Sequence, residues 1–303
     1  MAMPVPALND EYARLPELDE AAWRAAMRRH RERLRPVVEP HLARAARGEP
    51  HPVIDFLFQY YPFAPAHLMR WTPGWGVVLR GPPPEELAML DEGAHDGHGW
   101  RLKSESFPRH RREALQWVIS LHRQIASRPP RFGCFGLHEW AMVYRAERVR
   151  HQQLPLRYGR EETARIVESM PIACSHYDAF RFFTPAARPL NRLQPSKDLR
   201  LQLEQRGCLH VNMDLYKWAT QFYPWVSSDL IADCFLLALR IREVDMRASP
   251  YDVSAMGYTP IAIESESGRV EYVALQHGFA AQAEPLRTRL IDELEGVARM
   301  LGD

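Results

Sequence analysis

Three short blocks in the middle of the chain repeat one arrangement of reactive side chains. GCFGLHEWAMVYRAERVRH places Cys134 before His138 and Glu139. ACSHYDAFRFFTPAARPLN places Cys174 before His176 and Asp178, and GCLHVNMDLYKWATQFYPW places Cys208 before His210 and Asp214. In each block a thiol stands two or four residues ahead of an imidazole, and a carboxylate follows within one to four. A fourth His/Asp pair, His51 and Asp55, lies four apart in an aromatic segment. The segment IREVDMRASPYD adds Glu243, Asp245, Arg247 and Asp252 where a well-patterned helix ends. Working residues are therefore expected between Gly133 and Asp252.

Such groups support two chemistries. In one, His138, His176 and His210 converge with nearby carboxylates or thiols on a divalent metal, zinc or iron being the candidate cofactors. His210 and Asp214, four apart, would share one helix face, whereas His176 and Asp178 suit a loop or strand. No Cys-x-x-Cys, His-x-x-x-His or His-Glu-x-x-His spacing is present. In the other, Asp178, Asp214 or Asp245 activates a water or stabilises a cationic transition state, with His176 and His210 orienting or tuning them. Arg181, Lys217 and Arg247 then offer cations for phosphate, and Tyr177 and Trp218 offer rings for a flat ligand such as a nucleobase. Against both stands a structural reading: His/Asp pairs satisfied in a core, buried cysteines, and aromatic residues at helical spacing that fill space. The density of ionisable groups within otherwise apolar segments favours a site, because buried charge is costly unless paired or used. Cys134 between two glycines also invites a nucleophile reading, although Cys/His pairs seldom assemble from sequence neighbours. Gly-x-Gly-x-x-Gly, P-loop and Gly-x-Ser-x-Gly motifs are absent.

The elements that must position these groups read as mainly helical, an α+β class with a small β element. Asp19 to Gly48 forms a helical stretch that Pro36 and Pro40 are expected to break or kink. Val77 to Arg80 reads as a short strand, and the Gly/His/Asp-rich segment from Asp91 to Trp100 as a loop. Glu113 to Ser127 is helical. Ser228 to Met246 is a helix capped by Ser227 or Ser228 with Asp229 in its first turn. Residues 260–273 read as a β-hairpin, and a last helix is expected from Pro285 to Met300. Residues 1–18 are expected to form an arm without fixed structure, and 19–303 one globular domain.

Composition narrows the class. The chain has 303 residues, is 46% hydrophobic and 25% charged, and can bury a sizeable core. No apolar run is long enough to span a bilayer, and the start lacks a secretory pattern, so a cytoplasmic setting with reduced thiols is the expectation. Charge is polarised: 13 Lys/Arg against 4 Asp/Glu from Arg101 to Arg160, and 7 against 13 from Asp229 to Asp303. The two regions are either complementary surfaces of one fold or a basic face for phosphate. A pI near 7.8 lies below the range of dedicated nucleic-acid binders.

The blocks GCFGLHEWAMVYR, CSHYDAFRFFTPAARPLN, GCLHVNMDLYKWA and IREVDMRASPYD, with HPVIDFLFQYYPF earlier, resemble a bacterial family commonly labelled 3-methyladenine DNA glycosylase. The likeness runs from about His51 to Val273. It implies an N-glycosidic hydrolase that releases a damaged or alkylated purine from DNA or a nucleotide, with an aspartate (Asp178, Asp214 or Asp245) facing the sugar cation and aromatic residues holding the base. The chain departs from helix-hairpin-helix glycosylases. Pro73-Gly74-Trp75-Gly76 imitates their tetrapeptide, but a strand and a proline stop follow instead of a DNA-binding helix. No catalytic residue carries over from that class.

Overall fold

The computed structural model describes residues 15–149 and 151–302. Most of the arm expected over 1–18 lies outside the described residues. Its last two, Glu17–Leu18, form strand β1, which pairs in parallel with β2, Val78–Leu79. The strand expected at Val77 to Arg80 is therefore present.

The segment read as a loop is a hairpin: β3, Gly93–Asp96, runs antiparallel to β4, Gly99–Leu102, which pairs in turn with β2. Its Gly/His/Asp composition is turn chemistry, not the absence of structure. Asp96 accepts the His98 amide at 2.8 Å, and Gly99 has φ 138°. A Cβ at Gly99 would come within 2.4 Å of the Leu79 carbonyl oxygen, so only glycine lets the strands approach.

The longer helices among the described residues build the body around the site: α1 Glu20–Ala46, α2 Arg112–Ser127, α3 Leu137–Val143, α4 Arg160–Ser169, α5 Leu209–Gln221, α6 Ser228–Arg247 and α7 Glu266–Met300. Helix α1 continues through Pro36 and Pro40, contrary to the expected break. Both prolines sit on its exposed side, opposite buried Leu34 and Val38, so the carbonyls they leave unbonded face water. Helix α6 begins as read, with the Ser227 hydroxyl accepting the Leu230 amide at 3.4 Å.

The hairpin expected at 260–273 does not form. Ile261 and Ile263 are fully buried on a turn, with the Ile261 amide donating to Arg247 at the end of α6 and the Ile263 amide to the Ile261 carbonyl. Ser265 then caps α7 by accepting the Gly268 amide at 3.0 Å. Residues 266–268, in the middle of the expected hairpin, are thus a helix start. From Gly268 the buried positions Tyr272, Gln276, Phe279, Ala283, Arg287 and Leu290 recur every three or four residues, a helical stripe that runs past Pro285.

Helices α5 and α6 pack along each other through a short connection, and both lie against α7, which also carries α2. One continuous core runs from Trp23 to Ala298 and includes Trp140, Tyr216 and Phe235. Each such ring contributes about 1.5–3 kcal/mol on burial. The basic middle and acidic end meet in part, through Arg123–Glu295 at 2.7 Å and Arg157–Glu264. No helix among the described residues is long and apolar enough to cross a membrane.

Candidate functional site

A vein of ionisable side chains runs through this core between two openings. At one end, α3 starts just after Phe135 and Gly136, both with positive φ (46° and 71°). A bulky residue held at positive φ is strained, and such strain recurs at working sites. The tight turn sets Cys134 and His138 toward one side. His138 Nε2 lies 2.8 Å from Asp245 Oδ1 on α6. Asp245 Oδ2 accepts from Arg242 at 2.8 Å, and the same Arg242 nitrogen donates to Glu139 at 2.9 Å. All four residues are buried. Helical spacing explains the join: Arg242 and Asp245 are one turn apart on α6 and face adjacent residues of α3.

His210, at the start of α5, links the two halves. Its ring meets His138 edge-on at 4.3 Å and lies almost parallel to His176 at 5.3 Å. Beyond it, His176 caps the turn Tyr177–Phe180. Its Nδ1 accepts the Ala179 amide at 3.2 Å, leaving Nε2 to donate to Asp214 at 3.2 Å. Asp214 also accepts from Tyr61 at 2.9 Å and lies 3.5 Å from Lys217. Asp178 accepts from Lys217 at 2.6 Å and from Arg200 at 2.7 Å, and Arg200 pairs with Glu204 at 2.8 Å.

Burial and charge set the protonation states. Burial drives the His210 imidazole down to about 3, assisted by His138, so its ring is neutral at pH 7. Burial also opposes a charge on His138, but the touching Asp245 carboxylate outweighs it and raises that ring above the usual histidine value. Asp214 and Asp245 are held far below the ordinary carboxylate range although burial opposes ionisation. Lys217, His176 and Arg200 outweigh it at Asp214, and His138, His210 and Arg242 at Asp245. Burial pushes the Cys174 thiol up to about 12 and raises Cys134 and Cys208 as well, so none is a ready thiolate. A nucleophilic role for Cys134 is disfavoured on that ground.

The first opening is a cavity of about 260 Å3 lined by Cys134, Cys174 and Cys208 together with His138, His210, Ser175, Gln205, Arg131 and Arg192. The repeated Cys/His blocks therefore do converge, contributing all three thiols and two of the three imidazoles. One donor atom each from His138, His210 and Asp245 lie within 4.8 Å of one another. The ring nitrogens of His210 have no hydrogen-bond partner among the described residues. His176, grouped with the other two histidines from sequence, belongs instead with Asp178 and Asp214, a second set of donors within 4.8 Å.

The second opening is a cleft of about 440 Å3 whose lining includes Asp178, Arg181, Lys217, Arg111, Tyr60, Phe63 and Tyr223. Asp178, Arg181 and Lys217 thus face an opening. Asp214 and Asp245 do not line either one. Trp218 is a buried wall beneath Lys217, whose ammonium lies 4.7 Å from the ring. Tyr177 lies under Arg200 at 5.8 Å and lines neither opening. Arg247 is removed from the site altogether: it donates to the Thr259 carbonyl at 2.8 Å and approaches Glu271, tying α6 to the start of α7. Asp252 bonds the Ser254 amide in a turn and joins no part of the vein. His51 and Asp55 do pair locally, through the His51 amide at 2.7 Å, while the Asp55 carboxylate meets His41 at 2.9 Å.

Sequence reasoning missed Arg242, Arg200, Glu204, Arg131 and Arg192. Arg242 stands three residues before Asp245, and Arg200 four before Glu204, so helical spacing held the signal for two of the pairs. Arg131 and Arg192 lie in loops with no local pattern. Pro73-Gly74-Trp75-Gly76 packs on the loop before α6, with the Trp75 amide donating to Trp225 at 2.8 Å. Compared with known proteins, the chain matches no family model, no curated protein and no solved structure.

Proposed function

We propose that the chain is a metal-dependent enzyme whose centre is His138, His210 and Asp245. The observation that carries this reading is the approach of three donors from three helices to within 4.8 Å of one another, with His138 and His210 on a cavity wall, Asp245 behind them, and the neutral His210 imidazole without a hydrogen-bond partner among the described residues. Once His138 gives up its proton, as a metal ligand must, Glu139 and Asp245 exceed Arg242 by one negative charge, which suits a cation. Imidazole and carboxylate donors fit zinc or iron(II). A bound divalent ion would polarise a substrate oxygen or activate a water, which makes hydrolysis the favoured reaction class. Arg242 and Glu139 would hold Asp245 in place as supporting partners. Arg131 and Arg192 on the cavity wall favour a small substrate with an anionic group.

Elemental mass spectrometry of untagged protein purified without chelators tests this. The expected result is near-stoichiometric zinc or iron, lost in His210→Ala and retained in Asp178→Asn. Protein that arrives metal-free and takes up no added zinc, iron or manganese would sink the proposal.

A second reading, release of a damaged or alkylated purine from DNA or a nucleotide, follows the resemblance to the glycosylase-labelled family. The position of Asp178 favours it, because this acid alone of the three reaches an open cleft with aromatic rings and cations around it. Asp214 and Asp245 are enclosed and fully engaged, so Asp178 would be the acid facing the sugar. Base-release assays on alkylated DNA and free nucleotides decide the matter. An Asp178→Asn variant that still released base would end this assignment.

A further inference from the structure

The two ends of the vein differ in charge. At the cleft end, Asp178, Asp214 and Glu204 are met by Arg200, Lys217, Arg181 and Arg111, leaving one positive charge over. Asp178 does not repel an incoming anion strongly. Its carboxylate is already engaged by Lys217 at 2.6 Å, Arg200 at 2.7 Å and Arg181 at 3.5 Å. Arg181 keeps 47% of its side chain exposed, and Arg111 is exposed as well, so both guanidinium groups can turn to a ligand at little cost in desolvation. Arg111 is anchored at the cleft by a bond to the Gln221 carbonyl.

The lining of this cleft is also aromatic, and its rings are braced from behind. Tyr60 stacks on Phe56 at 5.0 Å and meets Tyr61 edge-on at the same distance. Tyr223 meets Phe63 at 5.5 Å and lies nearly parallel to His67. Tyr60 and Tyr223 remain half-buried, so the rings are fixed yet accessible. Rigid rings lose little entropy on binding a flat partner. The volume falls within the range of about 300–1,000 Å3 typical of small-molecule sites.

We infer that this cleft binds a small aromatic phosphomonoester of mononucleotide size, with the phosphate on Arg111, Arg181 and Lys217 and the ring against Tyr60 and Tyr223. A phosphate carries about −1.5 to −2 charges at pH 7, matching a cluster of three cations with one in excess, and Arg can grip two of its oxygens at once. The inference shares its cleft with the base-release reading but needs no turnover, and it is independent of the metal centre.

Equilibrium titration of the full chain tests it. The probes are the four common ribonucleoside monophosphates, phenyl phosphate, the corresponding nucleosides and inorganic phosphate. Saturable binding of at least one mononucleotide is expected, with nucleoside and inorganic phosphate each at least tenfold weaker, and with affinity falling as salt rises. Arg111→Ala with Arg181→Ala should weaken it at least tenfold. Both side chains lie at the surface, and an unchanged circular dichroism spectrum verifies the fold. His210→Ala should bind as the parent does, which separates this site from the metal centre. Binding without base release would keep the inference and remove the base-release reading. No saturation by any of the phosphates at millimolar concentration, or undiminished binding in the double variant, would overturn it.

Discussion

Arg242 shows how the vein is held together. Its guanidinium is fully buried, donates to Glu139 and Asp245, and lies 4.1 Å over the Phe56 ring. Removing it strands two buried carboxylates, and breaking a buried ion pair from one side costs about 3–5 kcal/mol. Arg242→Leu is therefore expected to lower stability by that amount in urea unfolding. A loss under about 1 kcal/mol would mean the acids find other partners. His122 contributes to the pH dependence. It is fully buried, accepts from Arg287 at 3.1 Å, and is held well below the usual histidine value of 6.5, first by burial and then by Arg287, with Asp214 opposing. His30, which bonds the Leu68 carbonyl, is shifted the same way, chiefly by burial. Below about pH 6.5 the unfolded chain takes up protons that the folded rings refuse. Their contribution is full above that pH and shrinks as the solution is acidified. Melting temperature should fall between pH 7 and pH 5, and His122→Asn should flatten the fall. An equally steep profile in the variant would assign the acid sensitivity to other groups.

Legibility differed from element to element, for local reasons. Helix α6 was readable because cap, first-turn acid and apolar spacing all agree over Ser227 to Arg247. Helix α7 was misread because Ile261, Ile263, Val270 and Val273 mimic alternating strand residues, while Val270 is in fact 66% exposed on a helix. Only the longer stripe from Gly268 to Val297 decides between the two periods. Gly268 is itself forced by the fold, since a Cβ there would lie 2.0 Å from the Ala262 carbonyl oxygen, a contact no local pattern reveals. Pro285, read as a helix start, sits inside α7 on its exposed side. It leaves the Ala281 carbonyl without an amide partner and crowds it. Pro285→Ala should restore that bond and stabilise the fold by about 1–3 kcal/mol. At about 2–4 °C per kcal/mol for a chain of this size class, the gain is readable by calorimetry. A variant no more stable than the parent would mean that α7 is adapted to a bend at this position.

At the scale of the whole molecule, the sequence picked out residues that the fold brings together but could not pair them. The repeated Cys/His grammar pointed to the three thiols of one cavity, yet which histidine meets which acid depends on contacts such as His138 with Asp245, 107 residues apart. Under the proposed metal reading, the same long-range assembly would make metal binding and folding one equilibrium. His138, His210 and Asp245 come from α3, α5 and α6, so the donors are brought together only when these helices are packed. A cation that binds the folded chain alone stabilises it by RT ln(1 + [L]/Kd), about 2.7 kcal/mol at one hundred times Kd. Metal-stripped protein given zinc or iron(II) at that level should therefore melt several degrees higher. His210→Ala should remove the rise, whatever the metal-free melting temperature loses through the ring's contacts with His138 and His176. A metal-dependent rise that survived in His210→Ala would place the ion elsewhere, with His176, Asp178 and Asp214 the next group to test. No rise in the parent would mean that the folded chain has no preferential affinity for the ion, and the convergence of the three helices would then be structural.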